Sequence, residues 1–247
     1  MVKGCLLIHG FGGAPFEMEP LAARLAAAGH MVRNITLPGH DTSFEDFRTT
    51  YFMDWAAYAE AQYRELAHEV DGVVPIGLSM GGALALYLAE VFTPLAVVAL
   101  AAPMYVYRYF PLEMQDWRLP LVGLVKRRWP VLAKAPRSPE AKALVPWRGY
   151  EGQMALPQLH SLLQGIAGVK RRLHEVTAPL LVMHARGDKT VPVGNAFLIG
   201  ERVRSSQVTV RVFDINENRA GKHLITCHPE CGPMVGDAVV SFVNGLK

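Results

Sequence analysis

The apolar positions of this 247-residue chain gather into short continuous runs, separated by stretches with helical spacing. Cys5–Ile8 reads as a short buried strand, and Met31–Leu37, Val73–Leu78, Leu95–Ala101, Pro179–Ala185 and Val208–Phe213 each read as a strand. Pro15–Ala28, Asp54–Val70, Met80–Phe92, Pro192–Val203 and Pro229–Val243 read as helices. In the second of these, Trp55, Tyr58, Ala59, Gln62, Tyr63 and Leu66 recur on neighbouring turns. Pro15 opens its helix and Gly29 follows its end, where those residues suit helix termini. Continuous apolar strands alternating with helices predict an α/β fold: about six mostly parallel strands with helices on both faces.

Residues 104–177 break this alternation. They hold seven of the seventeen prolines, a basic helical stretch near 121–129 and an apolar helix around MALPQLHSLLQGI. They also carry twelve Lys/Arg against five Asp/Glu, a net of +7, while the remaining residues carry thirteen against seventeen, a net of −4. The segment therefore reads as a small helical cap, 104–177, inserted into a core formed by 1–103 and 178–247. Its tyrosines and tryptophans (Tyr105, Tyr107, Tyr109, Trp117, Trp129), with Phe110, Leu156, Leu159, Leu163 and Ile166, are candidates for an apolar pocket. Most such residues serve to pack a cap onto a body.

Composition excludes several classes. The overall net charge of +3 is too small to suggest a nucleic-acid partner. No apolar run reaches the roughly 18 residues of a membrane span, so no stable membrane insertion is expected. The basic runs Lys126–Arg128 and Lys170–Arg172 leave room only for weak association with an anionic surface. The opening MVKGCLLIHG lacks the layout of a signal peptide, and three cysteines are an odd, low count; both suit a cytoplasmic protein. Cys227-His228-x-x-Cys231 offers three metal ligands with no obvious fourth, so no metal is expected.

The candidate chemistry centres on GLSMGG, Gly77–Gly82, at the junction of the third strand and the next helix. Ser79 there has the spacing G-x-S-x-G. A sharp elbow would expose its hydroxyl, and a Cβ at 77 or 81 would clash. A serine hydroxyl needs a base, and the base needs an orienting acid. Asp188 follows the fifth strand in a Gly-Asp turn; Asp214, directly after the last strand, is the alternative. The loop after the last strand offers His223 and His228. His223 is favoured because His228 precedes Pro229 and suits a helix cap. His184 lies in a strand as a core or near-site histidine. Backbone N–H groups of Met80 and of Phe11, in the loop HGFGG, are the candidate oxyanion donors, with His9 bracing that loop.

HGFGG, LPGH, GLSMGG, GDKTVP and the late His223 together resemble the α/β-hydrolase superfamily over the whole chain, in particular bacterial carboxylesterases and monoacylglycerol lipases. That resemblance implies a Ser79–Asp188–His223 triad, an oxyanion hole at Phe11 and Met80, and the small cap. It implies a serine carboxylic-ester hydrolase for short or medium acyl esters or monoacylglycerols, with no cofactor. Another carbonyl substrate (a thioester, a C–C bond, a short peptide) or a non-catalytic receptor are the alternatives. The family usually places glycine directly before the base histidine; here Lys222 intervenes after Gly221.

Overall fold

The computed structural model describes every residue except Met1, Pro111 and Gln115, together with the side chain of Met114. Six strands form the main sheet: β1 (Lys3–Ile8), β2 (Met31–Ile35), β3 (Gly72–Leu78), β4 (Val97–Leu100), β5 (Leu180–Ala185) and β6 (Val208–Phe213). All are parallel, in the order β6-β5-β4-β3-β1-β2. The chain thus leaves β1 in one direction for β2 and in the other for β3. At such a reversal the loops after the two strands splay apart and leave a crevice at their carboxyl ends.

Side chains alternate between faces along each strand; the four inner strands are buried on both faces, whereas edge strands β2 and β6 are largely exposed or half-buried. Leu6 and Ile8 of β1 join one core with Phe47, Trp55 and Leu84, and Cys5 and Leu7 join the other with Leu21, Leu25 and Val239. Helices α1 (Glu19–Ala27) and α6 (Gly232–Asn244) cover the second face. Helices α2 (Phe52–Ala67), α3 (Met80–Val91) and α5 (Gly194–Arg202) cover the first, joined by α4 (Leu156–Arg172).

Several elements are shorter than their hydrophobic runs. Pro15–Glu17 is a separate 3-10 turn before α1, and β2 stops at Ile35 because Leu37 and Pro38 already belong to the following turn. Between β4 and β5 the chain is less helical than its composition suggests. The basic stretch forms only a 3-10 turn at Leu119–Leu121 and one helical turn at Val122–Val125, stopping short of Pro130. Two short antiparallel pairs also occur, Tyr107–Arg108 with Glu113–Met114 and Val131–Ala133 with Gln153–Ala155. Helix α4 runs on through Lys170–Arg172, cations in a last turn whose free carbonyls favour positive charge. Among the described residues, no helix is long and apolar enough to cross a membrane.

The first strand is tied to the last helix by one side chain. Lys3 Nζ, 9% exposed, donates to the carbonyls of Val243 (2.8 Å), Asn244 (3.3 Å) and Leu246 (2.7 Å). These carbonyls lie at a helix C-terminus, where a cation adds hydrogen bonds and meets their partial charge, although Val243 O also accepts from Leu246 N–H. Lys3→Met should cost about 1–3 kcal/mol in urea titrations by removing the donor of Asn244 O and Leu246 O, while reactivity of Ser79 toward a fluorophosphonate stays unchanged.

Candidate active site

Ser79 occupies the crevice between the carboxyl ends of β1 and β3. Its backbone lies at φ 56 and ψ −121, a left-handed conformation that costs a non-glycine residue about 1–3 kcal/mol. The two flanking glycines make it possible. A Cβ on Gly77 would stand 1.9 Å from the Gly81 carbonyl oxygen, and one on Gly81 would stand 2.0 Å from that of Ile8. The Ser79 N–H donates to Leu100 O at 2.8 Å, and its carbonyl accepts from Gly82 N and Ala83 N in the first turn of α3.

Three side chains from distant parts of the sequence meet here. The Ser79 hydroxyl donates to His223 Nε2 at 2.8 Å, and His223 Nδ1–H donates to Asp188 Oδ2 at 2.7 Å. The other carboxylate oxygen of Asp188 accepts from Thr190 N–H (2.7 Å) and Val191 N–H (3.0 Å). His184, fully buried, brings Nε2 within 3.1 Å of Val191 O and 3.2 Å of Asp188 Oδ2. Both are acceptors, so that nitrogen carries the proton. Burial alone would raise the Asp188 pKa, but the His223 charge and the His184 and His223 hydrogen bonds outweigh it and hold it at about 2. Burial alone would lower the His223 pKa; the Asp188 charge and hydrogen bond, then Glu17, carry it above 6.5.

The alternatives from the sequence lie elsewhere. Asp214 pairs with Arg186 at the surface, 3.2 Å away. His228 borders the cavity, but its Nδ1 accepts from Glu230 N–H at 3.2 Å and it makes no bond to Ser79. Cys227 and Cys231 donate to the carbonyls of Glu17 and Ile225.

The loop after β1 is held from below by His9. Its Nδ1 donates to Gly10 O (2.9 Å) and its Nε2 accepts from Leu37 N–H (3.1 Å), which fixes one neutral tautomer. Burial pushes His9 down to about 4, and burial with the His9 charge pushes neighbouring His40 down to about 3. The Phe11 ring packs edge-on against Phe47 and Trp55, with centroids 5.2 and 5.8 Å apart. The Gly10 N–H goes to Glu17 Oε2 at 3.0 Å. Among the described residues, no protein group accepts from the N–H of Phe11 or of Met80.

A cavity of about 400 Å³ opens in front of Ser79 and His223. Its apolar wall comes from Phe11, Phe44, Phe47, Tyr150, Leu159 and Leu162. Of the cap residues put forward from the sequence as pocket candidates, only Leu159 borders it. Leu156 and Ile166 are buried, whereas Tyr109, Phe110, Trp117 and Trp129 point to solvent. The helical turn Phe44–Phe47, which follows the LPGH loop, supplies part of the wall, with Val106, Val145, Trp147, Met154 and Leu162 from 104–177, and Tyr150 reaches across to donate to Gly39 O at 2.6 Å. Glu17 was not legible as a site residue. The only signal in the sequence is an acidic residue in a helix start rich in apolar neighbours.

The departure before the histidine has a visible consequence. Lys222 adopts φ 57, the conformation for which glycine is suited, at a cost of about 1–2 kcal/mol. Its Nζ donates to Ile215 O at 2.6 Å, and Gly221 O accepts from Lys189 N–H at 3.0 Å, which binds the His223 loop to the Asp188 loop.

With this geometry in place, comparison with known proteins defines the class. The sequence model of serine aminopeptidase, S33, matches residues 2–215. A thermostable monoacylglycerol lipase of Bacillus sp. (strain H-257) is 33% identical over 205 residues, covering 83% of this chain and 78% of that protein. A solved structure from a study of the lipolytic enzymes LipS and LipT aligns with a TM-score of 0.82 at 24% identity, covering 98% and 93% of the two chains. The monoacylglycerol lipase of Paleococcus ferrophilus aligns with a TM-score of 0.76 at 18% identity, covering 99% and 95%. The chain belongs to the serine aminopeptidase S33 family of α/β-hydrolases. Within it, this is a hydrolase of the carboxylesterase and lipase type.

The left-handed residue before His223 gives a direct test. Lys222→Val, a β-branched residue that resists φ 57, should lower stability by about 2 kcal/mol and slow labelling of Ser79, whereas Lys222→Asn should do neither. Urea titration and fluorophosphonate labelling rates measure the two effects.

Proposed function

We propose that Ser79, His223 and Asp188 are the catalytic triad of an ester hydrolase that works through an acyl-enzyme. The observation that carries this reading is the unbroken hydrogen-bond chain from the Ser79 hydroxyl through the His223 imidazole to the buried Asp188 carboxylate. Neutral His223 takes the hydroxyl proton as Ser79 Oγ attacks the ester carbonyl. The negative charge that builds on the carbonyl oxygen is met by the N–H groups of Phe11 and Met80, the latter at the start of α3. His223 returns its proton to the leaving alcohol, and water then repeats the sequence to release the acid. Asp188 stays ionised throughout and orients the ring.

Our assignment of substrate is a monoacylglycerol or another short to medium acyl ester. Its supports are the apolar wall of a cavity of about 400 Å³, within the usual range of about 300–1,000 Å³ for small-molecule sites, and the relative named as a monoacylglycerol lipase. Residues 104–177 act as a cap over a core of 1–103 and 178–247. The cap's exposed Phe110, Leu112, Trp117, Leu124 and Trp129, the last two adjoining the basic run Lys126–Arg128 in sequence, give weak contact with an anionic lipid surface. The three unpaired cysteines fit a reducing cytoplasm.

A panel of chromogenic esters, thioesters and amides of graded acyl length tests the assignment. Esters should be turned over fastest, with kcat/KM falling as the pH drops through the His223 pKa, above 6.5. Preference for amides would favour a peptidase instead. Ser79→Ala should remove activity and labelling together. On anionic vesicles, raising the salt from 50 mM to 500 mM should weaken hydrolysis; equal rates would retire the surface contact.

A further inference from the structure

Glu17 stands where three parts of the site meet, and nothing in the triad chemistry uses it. It is 1% exposed and borders the cavity. Its Oε2 accepts the Gly10 N–H at 3.0 Å, directly before the Phe11 amide. A Cβ placed on Gly10 would lie 3.3 Å from that oxygen and 3.4 Å from Ser79 Cβ, so the carboxyl and the nucleophile flank the same residue. Gly13 closes over the other side, where a Cβ would sit 2.2 Å from Oε1. Meanwhile the main-chain carbonyl of Glu17 accepts from Thr226 Oγ1 (2.6 Å) and Cys227 Sγ (3.0 Å), on the segment that follows His223. One residue thus joins the oxyanion loop through its side chain to the histidine loop through its backbone.

We propose that Glu17 is a positioning residue for the reaction: its carboxyl holds the Gly10–Phe11 backbone in place beside Ser79, and its charge acts on the His223 imidazole. The proposal rests on the triad assignment above. A buried carboxylate with so few donors is costly unless a cation shares the site. Burial pushes Glu17 up to about 7, against the Gly10 hydrogen bond, the His223 charge and the polar influence of Trp147 from the cap. From the loop before α6 it faces His223 and Cys227, the thiol pushed up to about 11 by burial. The oxyanion loop presents only backbone amides, and Glu19 follows at the exposed start of α1. An ionised Glu17 therefore favours the imidazolium that forms during acylation. It also raises the pH at which His223 becomes a free base.

Two substitutions separate charge from position. Glu17→Gln keeps shape and an acceptor for Gly10 but removes the charge. Glu17→Asp keeps the charge but withdraws it from Gly10. Histidine ring resonances followed by nitrogen-15 NMR give the His223 pKa without reference to turnover. The expected result is a His223 pKa lower by roughly one unit in Glu17→Gln and near the native value in Glu17→Asp. The acid limb of kcat/KM should move with it in Glu17→Gln, while Glu17→Asp loses roughly 10–100-fold in kcat. An unchanged His223 pKa in Glu17→Gln, or the same drop in both variants, would overturn the role of the charge. Native kcat in Glu17→Asp would overturn the positioning role. Fluorophosphonate labelling of the native protein separates the readings: if Ser79 fails to label while the NMR shift is present, the triad assignment falls and the Glu17–His223 coupling stands.

Discussion

The backbone at Ser79 is the constraint around which the molecule is arranged. A φ of 56 at a non-glycine residue is unfavourable in isolation, and it persists because the surroundings permit no other path. Gly77 and Gly81 let the strand, the elbow and the start of α3 approach within contact distance of one another and of β1. The Ser79 N–H is meanwhile spent on Leu100 O of the neighbouring strand. The energy stored in the turn is drawn from the parallel sheet on both sides of β3. In return the half-buried Ser79 faces the cavity, and the N-terminus of α3 follows directly.

Everything else in the site reaches that point by way of loops at the carboxyl ends of strands. The loop after β1 brings Phe11, the loop after β5 brings Asp188, and the loop after β6 brings His223. Loops are mobile by default, so each is fastened. His9 bonds the first to Leu37, Thr190 and Val191 wrap the Asp188 carboxylate, and Lys189 ties the second loop to Gly221 of the third. Lys222 shows the cost of the last fastening, since it accepts a left-handed conformation so that His223 can turn inward.

The electrostatics follow from burial in the same crevice. Asp188 stays charged deep in the protein because two histidines and two amides face it, and His223 gains basicity from that charge. His9 and His40 are held neutral because burial outweighs what opposes it, the Gly10 carbonyl and the Asp41 charge at His9 and backbone carbonyls at His40, which suits a purely architectural part. Glu17 lies between these cases, buried with one backbone donor and a titrating neighbour. The same low-dielectric surroundings thus give four different protonation behaviours, decided by which partner each group meets.

The strands, the main helices and the elbow were legible in the sequence because their causes are local. Continuous apolar runs demand burial on both faces, and glycine at 77 answers to the Gly81 carbonyl four residues on, whereas glycine at 81 answers to the Ile8 carbonyl of β1 and was legible only through the G-x-S-x-G spacing. Ser79, Asp188 and His223 could be put forward because each sits at the end of a strand whose place the pattern had already defined. The cavity wall could not be read in this way. The aromatic residues of 104–177 are conspicuous in sequence, yet several point to solvent, and Phe44, Phe47, Trp147 and Tyr150 line the pocket. Glu17 was equally invisible, since its environment is assembled from Gly10, Gly13, Trp147 and the segment after His223. Periodicity and turn chemistry act over a handful of neighbours, so the chain alone determined its elements and its elbow. Burial of a carboxyl and closure of a pocket depend on segments distant in sequence, and only the packed structure decided those.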